Sequence, residues 1–130
     1  MRVESADKPY KKILLVDDSR TILMMERMVL AREPYTLLTA GDGLEAVEKA
    51  AAEHPDAILM DVVMPRMDGF DAVRELRRRE DTRSIPVIMV TTRGEAENVE
   101  AAFASGCSDY VTKPIDAAEL LAKLRSLLGE

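Results

Sequence analysis

A chain of 130 residues with a formal net charge of −6 is long enough for one folded domain and too acidic for a general affinity for nucleic acid. Apolar residues make up 47% and charged residues 32%, a balance that fits a soluble globular chain and excludes a disordered one. The single cysteine, Cys107, rules out an internal disulfide; with one histidine beside it there is no structural zinc set, and no apolar run approaches the ~18 residues of a spanning helix.

Residues 1–11 are polar, carry Pro9 and lack the apolar middle of a signal peptide, so they read as a flexible leader before a single domain over 12–130. "KKILLV" is an apolar run of strand length. "SRTILMMERMVLAR" follows as a helix that Ser19 can cap, with Ile22, Met25 and Val29 on its inner side. "YTLLTA" is a second short strand. "GDGLEAVEKAAAEH" reads as a helix opened by the capping pair Asp42 and Glu45, with Leu44, Val47 and Ala51 inside and His54 at its C-terminal end before Pro55.

"DAILMD" is the third strand. After "MPRMDG" comes a helix with Phe70, Val73, Leu76 and Arg77 at helical spacing; Gly69 serves the turn before it, and Met64 and Met67 are packing residues. The basic cluster "RELRRRED" interleaves acids with its arginines and reads as a solvated helix face, not a phosphate-binding patch. "IPVIMVT" is a β-branched fourth strand, followed by a shorter helix carrying Val99, Ala102 and Phe103. "SDYVT" is a fifth strand, and the last helix opens at Asp116, with Glu119 three residues on, and buries Leu120, Leu124 and Leu127.

Five strand–helix repeats with continuously apolar strands predict a doubly wound α/β domain: a five-stranded parallel sheet covered on both faces, with right-handed crossovers. Five units are too few for an eight-fold barrel. In such a sheet all C-terminal strand ends lie along one edge, where ligands bind. The first strand delivers Asp17 and Asp18 to that edge, the third Asp61, the fourth Thr91, and the fifth Lys113 and Pro114. The second delivers only Thr39 and Ala40, which carry no chemistry.

Taken singly, each of these residues has a plain structural role as a helix cap, a solvent-facing acid, a strand-end threonine or a surface lysine. Their coincidence on one edge is what points to chemistry. Three carboxylates together attract a small hard cation, and Mg²⁺ (or Mn²⁺) suits an all-oxygen site completed by a phosphate. Lys113 supplies a point charge for an anionic oxygen, Thr91 a hydroxyl, and an ionised aspartate is a nucleophile toward phosphorus. The set predicts a phosphoryl group bound to, or made on, an aspartate.

The blocks "LLVDDS", "ILMDVVMPRMDGF", "IPVIMVTT" and "YVTKP" resemble the receiver domain of two-component response regulators, in order and over nearly the whole chain, from about Lys12 to Leu128. The resemblance implies the flavodoxin-like, CheY-like (βα)5 fold with strand order 2-1-3-4-5. It implies that Asp61 accepts a phosphoryl group from a histidine kinase or histidine phosphotransfer protein. Asp18, Asp61 and the backbone carbonyl of Val63 would be direct Mg²⁺ ligands, with Asp17 acting through water. Thr91 and Lys113 would bind phosphoryl oxygens, and the Lys113–Pro114 bond would be cis. Tyr110 would be the switch aromatic whose inward turn changes the surface of the fourth helix, fifth strand and fifth helix for a downstream partner. Val63, Thr92 and Arg93 occupy positions that affect phosphoryl lifetime; an apolar, a bulky and an overlying basic side chain there predict slow decay.

The implied protein is a bacterial, cytoplasmic signalling switch, not an enzyme beyond its own phosphorylation and dephosphorylation, with no direct contact to nucleic acid or membrane. The chain ends at "LRSLLGE" with no effector domain, as either a stand-alone regulator or a receiver cut from a longer one. The alternative is a receiver-like interaction module that needs no phosphate. A flavin binder is disfavoured, because two acids stand where a phosphate-cradling loop is needed. An aspartyl phosphatase is disfavoured too, because Val63 stands where a second acid is required.

Overall fold

In the computed structural model, which describes residues 10–92 and 96–130, strands and helices alternate through the chain. The strands are β1 (Lys11–Val16), β2 (Tyr35–Ala40), β3 (Ala57–Asp61), β4 (Val87–Thr92) and β5 (Asp109–Lys113). The helices are α1 (Arg20–Leu30), α2 (Gly43–Glu53), α3 (Gly69–Arg78), α4 (Ala96–Ser105) and α5 (Ala117–Leu128). All strand pairs are parallel, in the order β2-β1-β3-β4-β5. Among the described residues no helix is long and apolar enough to cross a membrane.

Side-chain alternation divides the sheet into two apolar layers. Leu14, Val16, Ile58, Met60 and Met89 face α2, α3 and α4. Ile13, Leu15, Leu59, Ile88, Val90 and Val111 face α1 and α5. Because β1 and β3 are covered on both sides, every residue of "ILLV" and "AILMD" is buried, which explains runs without polar alternation. Each large apolar side chain sealed in this way contributes roughly 1.5–3 kcal/mol.

The helix starts follow the capping residues read from the sequence. Ser19, Asp42 and Asp116 accept hydrogen bonds from the backbone N–H groups of Ile22, Glu45 and Glu119. Asp68 likewise accepts from Asp71. Each such cap is worth about 0.5–2 kcal/mol. His54 closes α2 in the left-handed region at φ 51°, its N–H donating to Ala50 O.

β1 spans the whole of "KKILLV", Lys11 included, and Lys11 Nζ donates to Leu128 O at 2.9 Å. Four expectations are corrected. α1 buries Glu26 and Leu30, with Leu23 and Val29 packed beside them, while Met25 joins Met24 and Met28 on the exposed side. α2 and α3 bury small residues, Ala46, Ala50 and Ala72, together with Val47, Val73 and Leu76; Leu44, Ala51 and Phe70 are only half-buried. In α4, Ala102 is buried and Phe103 is exposed. In the basic cluster, Arg74, Arg78 and Arg79 form exposed ion pairs with Asp71, Glu75 and Asp81. Arg77 turns inward instead, donating to the carbonyls of Gly106, Arg83 and Ile85.

Candidate functional site

The strand ends converge as the parallel topology requires. Strand pairing carries on one residue past β1, because Asp17 N donates to Ala40 O at 3.1 Å. Asp17 Oδ1 then accepts from Ser19 N at 2.9 Å, so the residue that caps α1 also anchors this acid. Asp17 is buried, whereas its neighbour Asp18 is exposed. Asp61 closes β3 and is buried in register with Val90. Carboxylate oxygens of Asp17, Asp18 and Asp61 lie within 4.8 Å of one another, so these three could hold a metal ion.

Lys113, at the end of β5, spans two of these acids. Its Nζ donates to Asp61 Oδ1 at 3.1 Å and stands 3.5 Å from Asp17 Oδ2. Asp17 Oδ2 is buried and accepts no hydrogen bond from the described residues. Thr91 follows Val90, the register partner of Asp61; its hydroxyl is buried and has no partner among the described residues. By alternation Asp17, Asp61 and Lys113 continue the face covered by α1 and α5, while Thr91 continues the face of Met89 and Tyr110.

Helix α3 approaches this edge closely enough that position 69 admits only hydrogen. A Cβ on Gly69 would lie 2.1 Å from Asp61 O, and Gly69 N donates to Val62 O.

The electrostatics follow from burial. Desolvation raises the Asp17 carboxyl above its ordinary range, against the Ser19 N–H and with the Asp61 and Asp18 charges adding to it. Desolvation also raises Asp61, opposed by its hydrogen bond and ion pair with Lys113. Burial alone would lower Lys113, but Asp61 and Asp17 outweigh it, and the ammonium is held more firmly than usual. Free acids in such a site are charged only at a cost, which makes it a receptor for positive charge.

Tyr110 is half-buried on β5. Its ring meets Phe103 edge-on, with centroids 5.8 Å apart at 87°. Lys123 Nζ sits 4.8 Å from the ring centroid and donates to Tyr110 O, while pairing with Glu119 at 3.1 Å and Asp109 at 3.5 Å. Val63 is 75% exposed beside the site. Arg93 and the side chain of Thr92 lie outside the described residues. The Lys113–Pro114 peptide is cis. Cys107 is buried, and burial pushes its thiol up to about 11.

A family model described as the response regulator receiver domain matches residues 13–125. The chain belongs to this family. The receiver is 40% identical over 117 residues to the response regulator MprA of Mycobacterium ulcerans, covering 90% of this chain and 50% of MprA. It thus spans about half the length of the curated relatives it matches. Among solved structures, it superposes with TM-score 0.86 and 34% identity on the receiver domain of the sensor histidine kinase PA1611 of Pseudomonas aeruginosa. That match covers 93% of this chain and 99% of the other, which carries a magnesium ion in its active-site cleft. The chemotaxis protein CheY4 of Vibrio cholerae matches with TM-score 0.83 and 35% identity, over 91% of this chain and 98% of CheY4. Receiver domains of response regulators are signalling switches, not enzymes of the ordinary kind.

The sequence reading passed over one buried acid of the receiver. Glu26, inside α1, is 1% exposed, and neither carboxyl oxygen has a hydrogen-bond partner among the described residues. Burial and the Asp17 charge push its carboxyl up to about 8, with Lys113 opposing and Asp61 adding. An acid at core spacing with Leu23 and Leu30 was the available signal.

Proposed function

We propose that this receiver is a phosphoaccepting switch. It takes a phosphoryl group on Asp61 from the histidine of a kinase or phosphotransfer protein, with Mg²⁺ or Mn²⁺ held by the acid cluster. One observation carries the reading: three carboxylates have oxygens within 4.8 Å of one another, with a single ammonium in contact with two of them. The donor set fits a hard divalent ion, being all oxygen and including Asp17 Oδ2, buried and without a hydrogen bond. One Lys113 cannot neutralise three acids. The ion present in the PA1611 receiver supports the same assignment. Asp18, Asp61 and the Val63 carbonyl would hold the ion directly and Asp17 through water, as the family likeness implies. When bound, the ion neutralises phosphoryl oxygens and so lowers the barrier to transfer.

The chain's own groups do the rest. An ionised oxygen of Asp61 attacks phosphorus, and the new O–P bond forms as the P–N bond to the donor imidazole breaks, its electron pair staying on nitrogen. Lys113 moves from the Asp61 carboxylate to a phosphoryl oxygen. The Thr91 hydroxyl, which has no partner among the described residues, donates to another. Thr91 and Tyr110 share a sheet face, so drawing Thr91 toward the phosphoryl group opens space into which the Tyr110 ring turns. The surface of α4, β5 and α5 then changes for a downstream partner, a two-state element biased by new charge. Val63, Thr92 and Arg93 restrict water and slow hydrolysis.

The test is incubation of the chain with Mg²⁺ and a small phosphodonor such as acetyl phosphate, read by intact mass. A gain of one phosphoryl group, lost in EDTA and in Asp61→Asn, is the expected result. After donor removal, the decay should quicken in Val63→Asn/Arg93→Glu. A wild-type chain that gains no mass overturns the reading.

A further inference from the structure

Four buried side-chain oxygens lack a hydrogen-bond partner among the described residues: Asp17 Oδ2, Thr91 Oγ1 and both carboxyl oxygens of Glu26. The first two belong to the site above. Glu26 lies in the middle of α1, and α1 covers the sheet face that Asp17, Asp61 and Lys113 continue by alternation. These three are also the charged groups whose fields reach it. Glu26 is thus a sealed carboxyl within the field of the acid cluster, with no bond among the described residues to offset its loss of water.

For the fold alone this is a net loss. A leucine or methionine of similar size would fill the same position with no polar group to desolvate. The return must lie in the site. A carboxyl 1% exposed with neither oxygen bonded holds a charge only at high cost, so Glu26 keeps its proton and is a hydrogen-bond donor, and its raised carboxyl agrees. Of the three charged groups whose fields reach it, Asp17 acts most strongly, and Asp17 Oδ2 is an acceptor with no hydrogen bond among the described residues and only the Lys113 ammonium at 3.5 Å.

We infer that Glu26 is a positioning residue of the cation site, its carboxyl O–H directed toward Asp17 Oδ2 and fixing the orientation of that acid. The inference rests on the cation-dependent reading above. Residues that orient a metal-binding group typically change affinity by about 10–100-fold when removed.

The experiment measures Mg²⁺ affinity by calorimetry and melting temperature in EDTA, on the full chain, for wild type, Glu26→Leu and Glu26→Gln. Glu26→Leu should bind Mg²⁺ about tenfold more weakly while melting in EDTA at or above the wild-type temperature. Glu26→Gln keeps an N–H donor and should bind within about threefold of wild type. Glu26→Met repeats the apolar arm with an unbranched side chain should leucine pack badly. Wild-type affinity in the apolar variants overturns the inference, since Glu26 would then be only a buried packing residue. Affinity as weak in Glu26→Gln as in Glu26→Leu also overturns it, since the donor would not be what matters. A wild-type chain that binds no Mg²⁺ fails earlier, at the cation site itself.

Discussion

With divalent ions chelated, this receiver should lose stability as pH rises from about 5 to about 7.5, a window in which paired surface carboxylates change little. Glu26 carries most of the effect: burial first, and the Asp17 charge second, move its carboxyl from 4.5 to about 8. Between those values the folded chain holds a proton that the unfolded chain has released, so the folded form binds more protons and stability falls with pH. Stabilisation is complete below 4.5 and is lost as pH climbs to about 8. One proton corresponds to about 1.36 kcal/mol per pH unit, or roughly 3 kcal/mol across the window. For a domain of this length that is a fall in melting temperature of about 10 °C. Asp17 and Asp61, both raised chiefly by desolvation, act in the same direction from their ordinary value of 3.8 upward. The other shifted groups act elsewhere. Asp42, lowered by its backbone bond to Glu45 and by Arg66, works below 3.8; Cys107 and Tyr35, both raised by burial, work above 9 and 10. Thermal melts by circular dichroism in EDTA, at fixed ionic strength, measure the slope. Glu26→Gln should flatten most of it. A melting temperature that is constant or rises with pH, or a Glu26→Gln chain with the wild-type slope, refutes the reasoning.

Gly69→Ala should destabilise the chain by about 1–3 kcal/mol and slow phosphorylation of Asp61, because the new Cβ would sit 2.1 Å from Asp61 O and 2.9 Å from Met89 Cε. Denaturant titration and the intact-mass time course check the two effects, and a neutral substitution counts against the close approach of α3. Lys123→Gln removes the cation beside the Tyr110 ring and its pairs with Glu119 and Asp109, yet partly exposed pairs contribute little, so stability should change by less than about 1 kcal/mol. The Tyr110 ring should sample more orientations, seen as altered ¹⁹F signals from fluorotyrosine; an unchanged spectrum would mean Phe103 alone holds it.

The strands were legible because burial on both faces removes the polar alternation that would blur them; "ILLV" and "AILMD" admit no other use. The acids were legible for a related reason: a parallel sheet has one C-terminal edge, so polar residues directly after apolar runs are collected there by topology alone. Helix rotation was not legible. In "ILMMERMVL" apolar residues lie all around the helix, so periodicity cannot choose a face, and packing chose Leu23 and Leu30 over Met24, Met25 and Met28. In α2 and α3 the sheet is met by Ala46, Ala50 and Ala72, because small residues allow the helices to approach, whereas a reading weighted by size favoured Leu44 and Phe70. Phe103 misled in the same way: its apolar surface serves Tyr110 on the outer face and not the core.

Glu26 shows why such misreadings concentrate near the site. A pattern rule counts glutamate as polar and rotates α1 to expose it, yet the helix buries it between Leu23 and Leu30 and turns methionines to the surface. Packing energy alone would reverse that choice. The same holds for Asp17, Asp61 and the Thr91 hydroxyl, each buried at a cost no neighbour fully offsets. Without a cation, Asp17 and Asp61, both raised by desolvation, share one ammonium, and the fold carries the expense. On the proposed reading, a divalent ion and then a phosphoryl group supply what is missing at that edge. The free energy withheld from stability is thereby returned when the site is filled, which couples occupancy of Asp61 to the positions of Thr91 and Tyr110.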